Sequence, residues 1–301
     1  MNKRPLIVSV ALLAFIIGLS GCSNGASSIS KRIDAIESVD ESSLESLHAI
    51  EEDYRSLSDE EKSKVANHAE LEKAIAQAEG MKNDREFLEA LEGSVKNRMK
   101  QAGEEDEATL VNSELARLDD FRDCVYCDEV ISTACAQYLS GLDAQKEALS
   151  KEEQFSEYQV LWNKGLVDRY AALNSLYEKH GFMKGNADFK ADYVLSFEHN
   201  KKYYDALMAI EADLAAQQEA GSIRYDWSYD GALTMTMMNN TDYAFDTVFD
   251  IDAVRDDETV TETVQGFASA KPHAQYAFTV YIANKTATHV NWNNWYSDIY
   301  V

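Results

Sequence analysis

Residues 204–240 read YDALMAIEADLAAQQEAGSIRYDWSYDGALTMTMMNN, and the spacing of apolar side chains changes within this stretch. Before Gly221, apolar residues recur every three or four positions from Tyr204 to Leu214, which predicts an amphipathic helix. After Gly221, leucine and methionine alternate with threonine at 233–237, which predicts a half-buried strand. The stretch therefore predicts a multidomain α+β chain, in which a helical region is followed by a β region.

The chain before this stretch predicts further helices. Residues 84–220 contain successive apolar stripes at helical spacing with short polar breaks, which is typical of an antiparallel α-helical bundle. The spacing mixes three and four residues without a sustained heptad, so the bundle is favoured over an extended coiled-coil hairpin. Pro5 and Pro272 are the only prolines, so long helices can run without interruption.

Residues 31–80 predict a separate unit of three short helices, with capping-box spacing at Ser42–Glu45 and Ser58–Glu61. Within it, residues 49–65 read AIEEDYRSLSDEEKSKV. This pattern, Tyr-x-x-Leu-Ser followed by Lys and Val, resembles a helical repeat of Gram-positive cell-surface proteins. The resemblance extends over residues 33–79 and implies a spacer or interaction module on the cell surface.

Residues 222–301 contain alternating apolar segments separated by turn residues, which predicts a small immunoglobulin-like β-sandwich. The layout of these segments resembles the FxLYD-type β-sandwich domains of bacterial lipoproteins. The matching strands are Leu233–Asn240, Val248–Asp256, Thr259–Val264 and Tyr276–Ile282. The resemblance implies a domain that contacts another protein.

The last predicted strand contains Asn-Trp-Asn-Asn-Trp-Tyr at residues 291–296. Amphipathic rings are favoured at interfaces, so Trp292, Trp295 and Tyr296 are a candidate contact surface for carbohydrate or protein. Rings that fill the core of the sandwich are the alternative interpretation. On a regular strand Trp292 and Trp295 face opposite sides, so at least one of them is expected at the surface.

The first 21 residues combine a basic start, an apolar run from Leu6 to Leu19 and a small-residue ending, which predicts a secretory signal peptide. The ending Leu-Ser-Gly-Cys resembles the bacterial lipobox, which implies lipid attachment at Cys22. Two acyl chains would anchor the protein stably to the cell membrane, on its extracytoplasmic face. Residues 23–28 are small and polar, which predicts a flexible tether over residues 22–30.

Three cysteines remain after Cys22. Cys124 and Cys127 lie near a predicted helix break and can form a local disulfide. Cys135 is in phase with neighbouring apolar residues and is predicted to be a buried thiol. A thioredoxin-like site is disfavoured because no βαβ unit surrounds the CxxC, and a zinc site is disfavoured because no histidine is near in sequence.

The formal net charge is −25, and removal of Lys3 and Arg4 with the signal makes it −27. Nucleic acid is therefore a poor partner, because phosphate binding needs clustered basic residues. The six histidines stand in no catalytic motif, and no cofactor or metal site is predicted. The sequence favours a non-catalytic surface lipoprotein that contacts an envelope protein or cell-wall component. The alternative is a small-ligand capture protein with a pocket between bundle and sandwich, and an enzyme is a third, less favoured hypothesis.

Overall fold

The computed structural model describes residues 25–284 and 286–301, without the side chains of Asn293, Asn294 and Tyr296. Cys22 and the predicted signal peptide lie outside the described residues. The protein is a mixed α+β protein with helices and two antiparallel sheets. The chain divides into two compact units, one ending at Ala78 and the other starting at Glu79.

The first unit is helical. Its helices are α1 Gly25–Asp34, α2 Leu44–Arg55, α3 Asp59–Lys62 and the beginning of α4 His68–Gln101. Their apolar faces form one core, made by Ala26, Ile29, Ile33, Leu47, Ile50, Val65, Leu71, Ala74 and Ala78. The capping box predicted at Ser58 and Glu61 is confirmed at the start of α3.

Two predictions for this unit were wrong. Residues 25–30, predicted as part of a flexible tether, form the first turns of α1, because Ala26 and Ile29 are buried in the core of the unit. The capping box predicted at Ser42 is also absent. Asp40 accepts a hydrogen bond from the Ser43 backbone instead, and it caps a short 3-10 turn that leads into α2.

Helix α4 is continuous through residues 80–84, where the sequence predicted a boundary between two helical regions. The division between the compact units falls within this helix. Gly80 is tolerated there because it lets a loop approach: a Cβ at this position would lie 2.7 Å from Cys127 Sγ.

The helices of the second unit after α4 are α5 Glu107–Leu118, α6 Glu129–Leu149, α7 Phe155–His180, the short α8 Ala187–Phe189 and α9 Phe197–Glu219. Apolar residues of α4 to α8 form a second core around Phe87, Tyr138 and Phe189. Helices α6 and α7 approach each other closely at two glycines, since a Cβ on Gly141 would lie 2.7 Å from the Gly165 carbonyl oxygen.

Six strands follow α9: β1 Arg224–Trp227, β2 Ala232–Asn239, β3 Ala244–Val254, β4 Val260–Ala270, β5 Ala274–Tyr281 and β6 His289–Tyr300. They form two three-stranded antiparallel sheets, ordered β1-β2-β5 and β4-β3-β6. The sheets share one core, in which the rings of Phe249 and Phe278 stack with centroids 5.3 Å apart. The predicted burial of alternate residues in β2, β3 and β5 is confirmed.

The core of the sheets also includes Ala206, Leu207, Ile210 and Leu214 of α9. This helix therefore packs on the sheets along its apolar face. The last predicted helix and the β region share one core within the second compact unit.

Two glutamine side chains join helices to strands through paired hydrogen bonds. The amide of Gln159 in α7 donates to the Ser297 carbonyl oxygen at 2.5 Å and accepts from the Ser297 N–H at 3.1 Å. In the same way, Gln217 in α9 bonds the carbonyl oxygen and N–H of Met238 at 2.6 and 3.0 Å. Each amide takes the place of a neighbouring strand: Gln159 closes the edge of its sheet at β6, and Gln217 bonds the part of β2 that extends beyond its pairing with β1.

Candidate functional site

The predicted contact residues Trp292 and Trp295 are both buried, with 6% of each residue exposed. The expectation that one of them lies at the surface was wrong. Asp250 pairs with Asn294 and Ile251 pairs with Trp292, so β6 contains one extra residue at this point. Such a β-bulge changes the alternation of side chains, and it places both indoles in the core. The side chain of Tyr296 lies outside the described residues.

The exposed aromatic surface lies on strand β1, in the other sheet, and on the turn that follows it. Tyr225 is 37% exposed, Trp227 is 44% exposed and Tyr229 is fully exposed. The buried Trp292 supports this surface, because its indole N–H donates a hydrogen bond to the Tyr225 hydroxyl at 3.2 Å. We call Tyr225, Trp227 and Tyr229 the aromatic edge.

The turn that carries Tyr229 is held by several hydrogen bonds. The Ser228 N–H donates to the Ala232 carbonyl oxygen at 2.8 Å, and the Ala232 N–H donates to Ser228 Oγ at 3.1 Å. Gly231 has a φ of 95°, and its N–H donates to the Ser228 carbonyl oxygen at 3.2 Å. The Ser228 hydroxyl also donates to the Asp230 carboxylate and lowers its pKa. The aromatic edge is therefore attached to a rigid turn.

The sequence contained a signal for this site. Aromatic residues alternate with polar ones in Arg-Tyr-Asp-Trp-Ser-Tyr-Asp at 224–230, as they do on an edge strand. The apolar alternation begins only at Leu233, so the first predicted strand started there and β1 was missed.

The predicted disulfide is not formed in the structure. Cys124, Cys127 and Cys135 are all outside disulfide bonds, and Cys135 is buried, as predicted. Burial raises the pKa of each thiol above its ordinary value, and acidic neighbours raise those of Cys124 and Cys127 further. A raised pKa keeps these thiols protonated, so none of them is an activated nucleophile.

A buried charged network, which no sequence pattern indicated, lies between the helices of the second unit. Glu114 accepts hydrogen bonds from Arg98 at 3.0 Å, Arg169 at 2.9 Å and the Tyr138 hydroxyl at 2.7 Å. Arg169 also donates to Gln145 at 2.7 Å. Although burial opposes it, the Glu114 carboxylate raises the pKa of Arg169.

At Tyr138, in contrast, burial itself raises the pKa, so this phenol remains a hydrogen-bond donor. Arg169 and Glu114 are 1% and 2% exposed, and neither lines the surface depressions described below. The network therefore holds α4, α5, α6 and α7 together and offers no access to a substrate.

Two surface depressions lie between helices and sheets. One of about 400 Å³ is lined by residues that include Gln217, Arg224 and Asn240. The other, about 390 Å³, is lined by residues that include Glu157 and Asp250. Ligand pockets are mostly apolar with a few polar groups, whereas these linings are mainly polar.

His68 and His180 each lie close to a carboxylate. His68 lies 2.8 Å from Glu51, and His180 lies 3.4 Å from Asp128. Within residues 25–284 and 286–301, no group of three or more His, Cys, Asp or Glu side chains is arranged to hold a metal ion. The helices in that part of the chain also include none with the length and hydropathy of a membrane span.

No protein-family model, curated protein or solved structure matches this chain.

Proposed function

We propose that this protein is a non-catalytic, membrane-anchored extracytoplasmic lipoprotein that contacts an envelope protein or a cell-wall component through the aromatic edge. Tyrosine and tryptophan supply large amphipathic surfaces at low entropic cost, and they dominate the binding energy of protein interfaces. The observation that carries the proposal is the exposure of Tyr225, Trp227 and Tyr229 on a hydrogen-bonded edge strand and turn.

The membrane anchor of the proposal rests on the sequence. The apolar run of residues 6–19 followed by Cys22 supports lipid attachment at that cysteine, on the outer side of the cell membrane. The helical unit that resembles cell-surface repeats, residues 33–79, would act as a spacer. The charge of −25 makes nucleic acid and anionic lipid headgroups unfavourable partners.

We propose further that the two sheets form an immunoglobulin-like sandwich. In constant-type immunoglobulin folds the first, second and fifth strands share one sheet, and the third and sixth strands share the other. The division of β1, β2 and β5 from β3 and β6 supports this assignment. The position of β4 beside β3 differs from that arrangement.

The contact proposal is tested by capture from detergent-solubilised envelope, with the full chain as bait. The variant carries Trp227→Ala and Tyr229→Ala, and the control carries Phe267→Ala, which removes a ring that is 66% exposed on the other sheet. We expect wild type and control to recover the same partner, and the double variant to lose it. Truncation of an interface hot spot costs ~2 kcal/mol or more, which is about 30-fold in affinity.

Equal recovery by all three proteins would place the contact outside the aromatic edge. A small molecule released in stoichiometric amount on denaturation of the purified protein would favour the ligand-capture alternative instead. The depressions lined by Gln217 and by Glu157 are the places to test by substitution in that case.

A further inference from the structure

We propose that the partner adds an extended, basic segment to the free edge of β1, as a further strand of the sheet β1-β2-β5. The inference rests on the proposed function and gives the chemistry of the partner. Strand addition obtains affinity from main-chain hydrogen bonds and specificity from alternate side chains.

The register of the hairpin shows which backbone groups of β1 face outward. Hydrogen-bonded and non-hydrogen-bonded pairs alternate along an antiparallel ladder. Ser228 donates its N–H to Ala232 at 2.8 Å, so Asp226, two residues earlier, also bonds to β2. The N–H and C=O groups of Tyr225 and Trp227 therefore point away from β2, towards the free edge.

The bonding of Gln217 supports the same alternation. Its amide binds the N–H and carbonyl oxygen of Met238 in β2, on the side of the strand where β1 lies. Met238 is two residues after Thr236, which pairs with Arg224. Groups of β2 that face β1 are thus satisfied either by β1 itself or by Gln217.

The edge of β1 differs from the strand segments whose backbone groups are bonded by helix side chains. Gln159 binds Ser297 in β6, and Gln217 binds Met238 next to the end of β1. Among the described residues, no strand or side chain bonds the outward N–H and C=O groups of Tyr225 and Trp227. An uncovered pair of such groups is a template for an added strand.

The side chains along this edge favour an incoming strand with alternate apolar residues. Tyr225 and Trp227 project on the same side of β1, and they are opposite the buried Met235 and Leu233 of β2. Trp292 holds the Tyr225 phenol in place by its hydrogen bond. Apolar side chains of an added strand would lie directly beside these two rings.

The charge of the molecule selects among partners that could supply this strand. The net charge of −25 repels acidic segments and a second copy of the chain. Near the site, Arg224 is paired with Asp226 at 2.8 Å, so its cation is already neutralised, while Asp230 adds a further carboxylate. Lysine and arginine on the outer side of an incoming strand would complement this surface.

The test uses a synthetic peptide of alternating lysine and valine, with backbone amide exchange in the full chain measured by NMR. We expect the peptide to slow exchange of the Tyr225 and Trp227 amides about 10-fold or more, and to change Asp226 less, since its N–H is already bonded to β2. The control peptide has the same side chains with N-methyl groups on alternate residues, and we expect it to give no protection.

A second comparison removes one donor from the protein. Trp227→Ala keeps the outward N–H, whereas Trp227→Pro removes it, and proline is tolerated on an edge strand where the N–H faces solvent. We expect the proline variant to bind the lysine–valine peptide more weakly than the alanine variant.

Several outcomes would overturn strand addition. Peptide binding without protection of Tyr225 and Trp227 would mean contact through side chains alone, and the proposed function would survive. Failure of the lysine–valine peptide to bind would also overturn strand addition. If an envelope partner were still captured through the aromatic edge, the proposed function would survive. Equal protection by a glutamate–valine peptide would overturn the basic partner, and protection on concentrating the protein alone would point to a second copy.

Discussion

Glu114 neutralises two buried arginines in the second unit, because it accepts hydrogen bonds from both Arg98 and Arg169. Replacing it with glutamine keeps the shape of the side chain and leaves Arg169 as a buried charge without a counterion. We expect Glu114→Gln to lower the free energy of unfolding by about 3–5 kcal/mol, as loss of one partner of a buried ion pair does.

Urea unfolding followed by circular dichroism measures this loss. The matched control is Glu107→Gln, since Glu107 also pairs with Arg98 but has a side chain that is 49% exposed. We expect the control to lose less than ~1 kcal/mol. Equal losses in both variants would show that burial of the network does not determine its contribution.

Glu211 in α9 predicts a dependence of stability on pH. Burial, and secondly the charge of Glu157, raise the pKa of Glu211 above its ordinary value of 4.5, and its Oε2 atom has no hydrogen-bond partner among the described residues. Because the folded-state pKa is the higher one, the folded protein gains stability as the pH falls through it towards 4.5.

Glu211→Gln should therefore be more stable than wild type at about pH 7, and the difference should disappear at about pH 4, where the wild-type carboxyl is also neutral. Urea unfolding at both pH values measures the difference. Glu219→Gln, at an exposed position of the same helix, controls for the loss of one negative charge. A difference that persists unchanged at the lower pH would contradict this prediction.

At this scale the sequence predicted single residues unevenly. The burial of Cys135 follows from helical phase, and the structure confirms it. The burial of both Trp292 and Trp295 depends on an inserted residue in β6, which no alternation pattern indicates. The burial of Glu114 could not be predicted either, because a sequence with 53 acidic residues does not indicate which carboxylate is buried.

At the scale of elements, the joint between α7 and β6 depends on the Gln159 amide. Both Gln159 and Ser297 are buried, so the Ser297 N–H cannot form a hydrogen bond with water if the Gln159 amide is removed. We expect Gln159→Met to lower the free energy of unfolding by ~1–3 kcal/mol, the cost of an unsatisfied buried polar group.

Denaturant unfolding measures this change, and Gln218→Met, at an exposed position of α9, is the control. The control should stay within about 0.5 kcal/mol of wild type. If the two methionine variants have the same stability, the paired hydrogen bonds at Ser297 contribute nothing to the joint.

The sequence predicted long elements better than short ones. The alternation in β2, β3 and β5 covers enough residues to be recognised, and the structure confirms it. Strand β1 has four residues, all exposed, so its pattern lacks the buried positions on which such a prediction depends. Helix α4 continues through Gly80 because the approach of Cys127 compensates for a weak helix former.

At the scale of the whole molecule, the lipid anchor is the prediction with the simplest readout. We expect Cys22→Ser to prevent acylation, so that the protein moves from the membrane pellet to the soluble fraction after cell fractionation. Cys127→Ser, at an exposed position of the second unit, should stay in the pellet. Retention of the Cys22 variant in the membrane would contradict lipid attachment at that residue.

The class of the fold, mixed α+β with helices before strands, followed from the change of spacing at Gly221, and the structure confirms it. The sequence did not show that α9 shares its core with the sheets, because an apolar stripe does not reveal which element covers it. A truncation after α9 would therefore expose Leu207, Ile210 and Leu214, so point substitutions at the aromatic edge test the contact more cleanly.

The joint between Gln159 and Ser297 also constrains the order of folding. The two residues are 138 positions apart in the chain, and Ser297 lies in β6, which follows the other five strands in the sequence. Contacts between such distant residues form late and slow the search for the native state. Until β6 pairs with β3, the edge of β3 and part of the apolar face of α9 would stay accessible to other chains. Folding of the second unit should consequently be completed only when β6 joins β3.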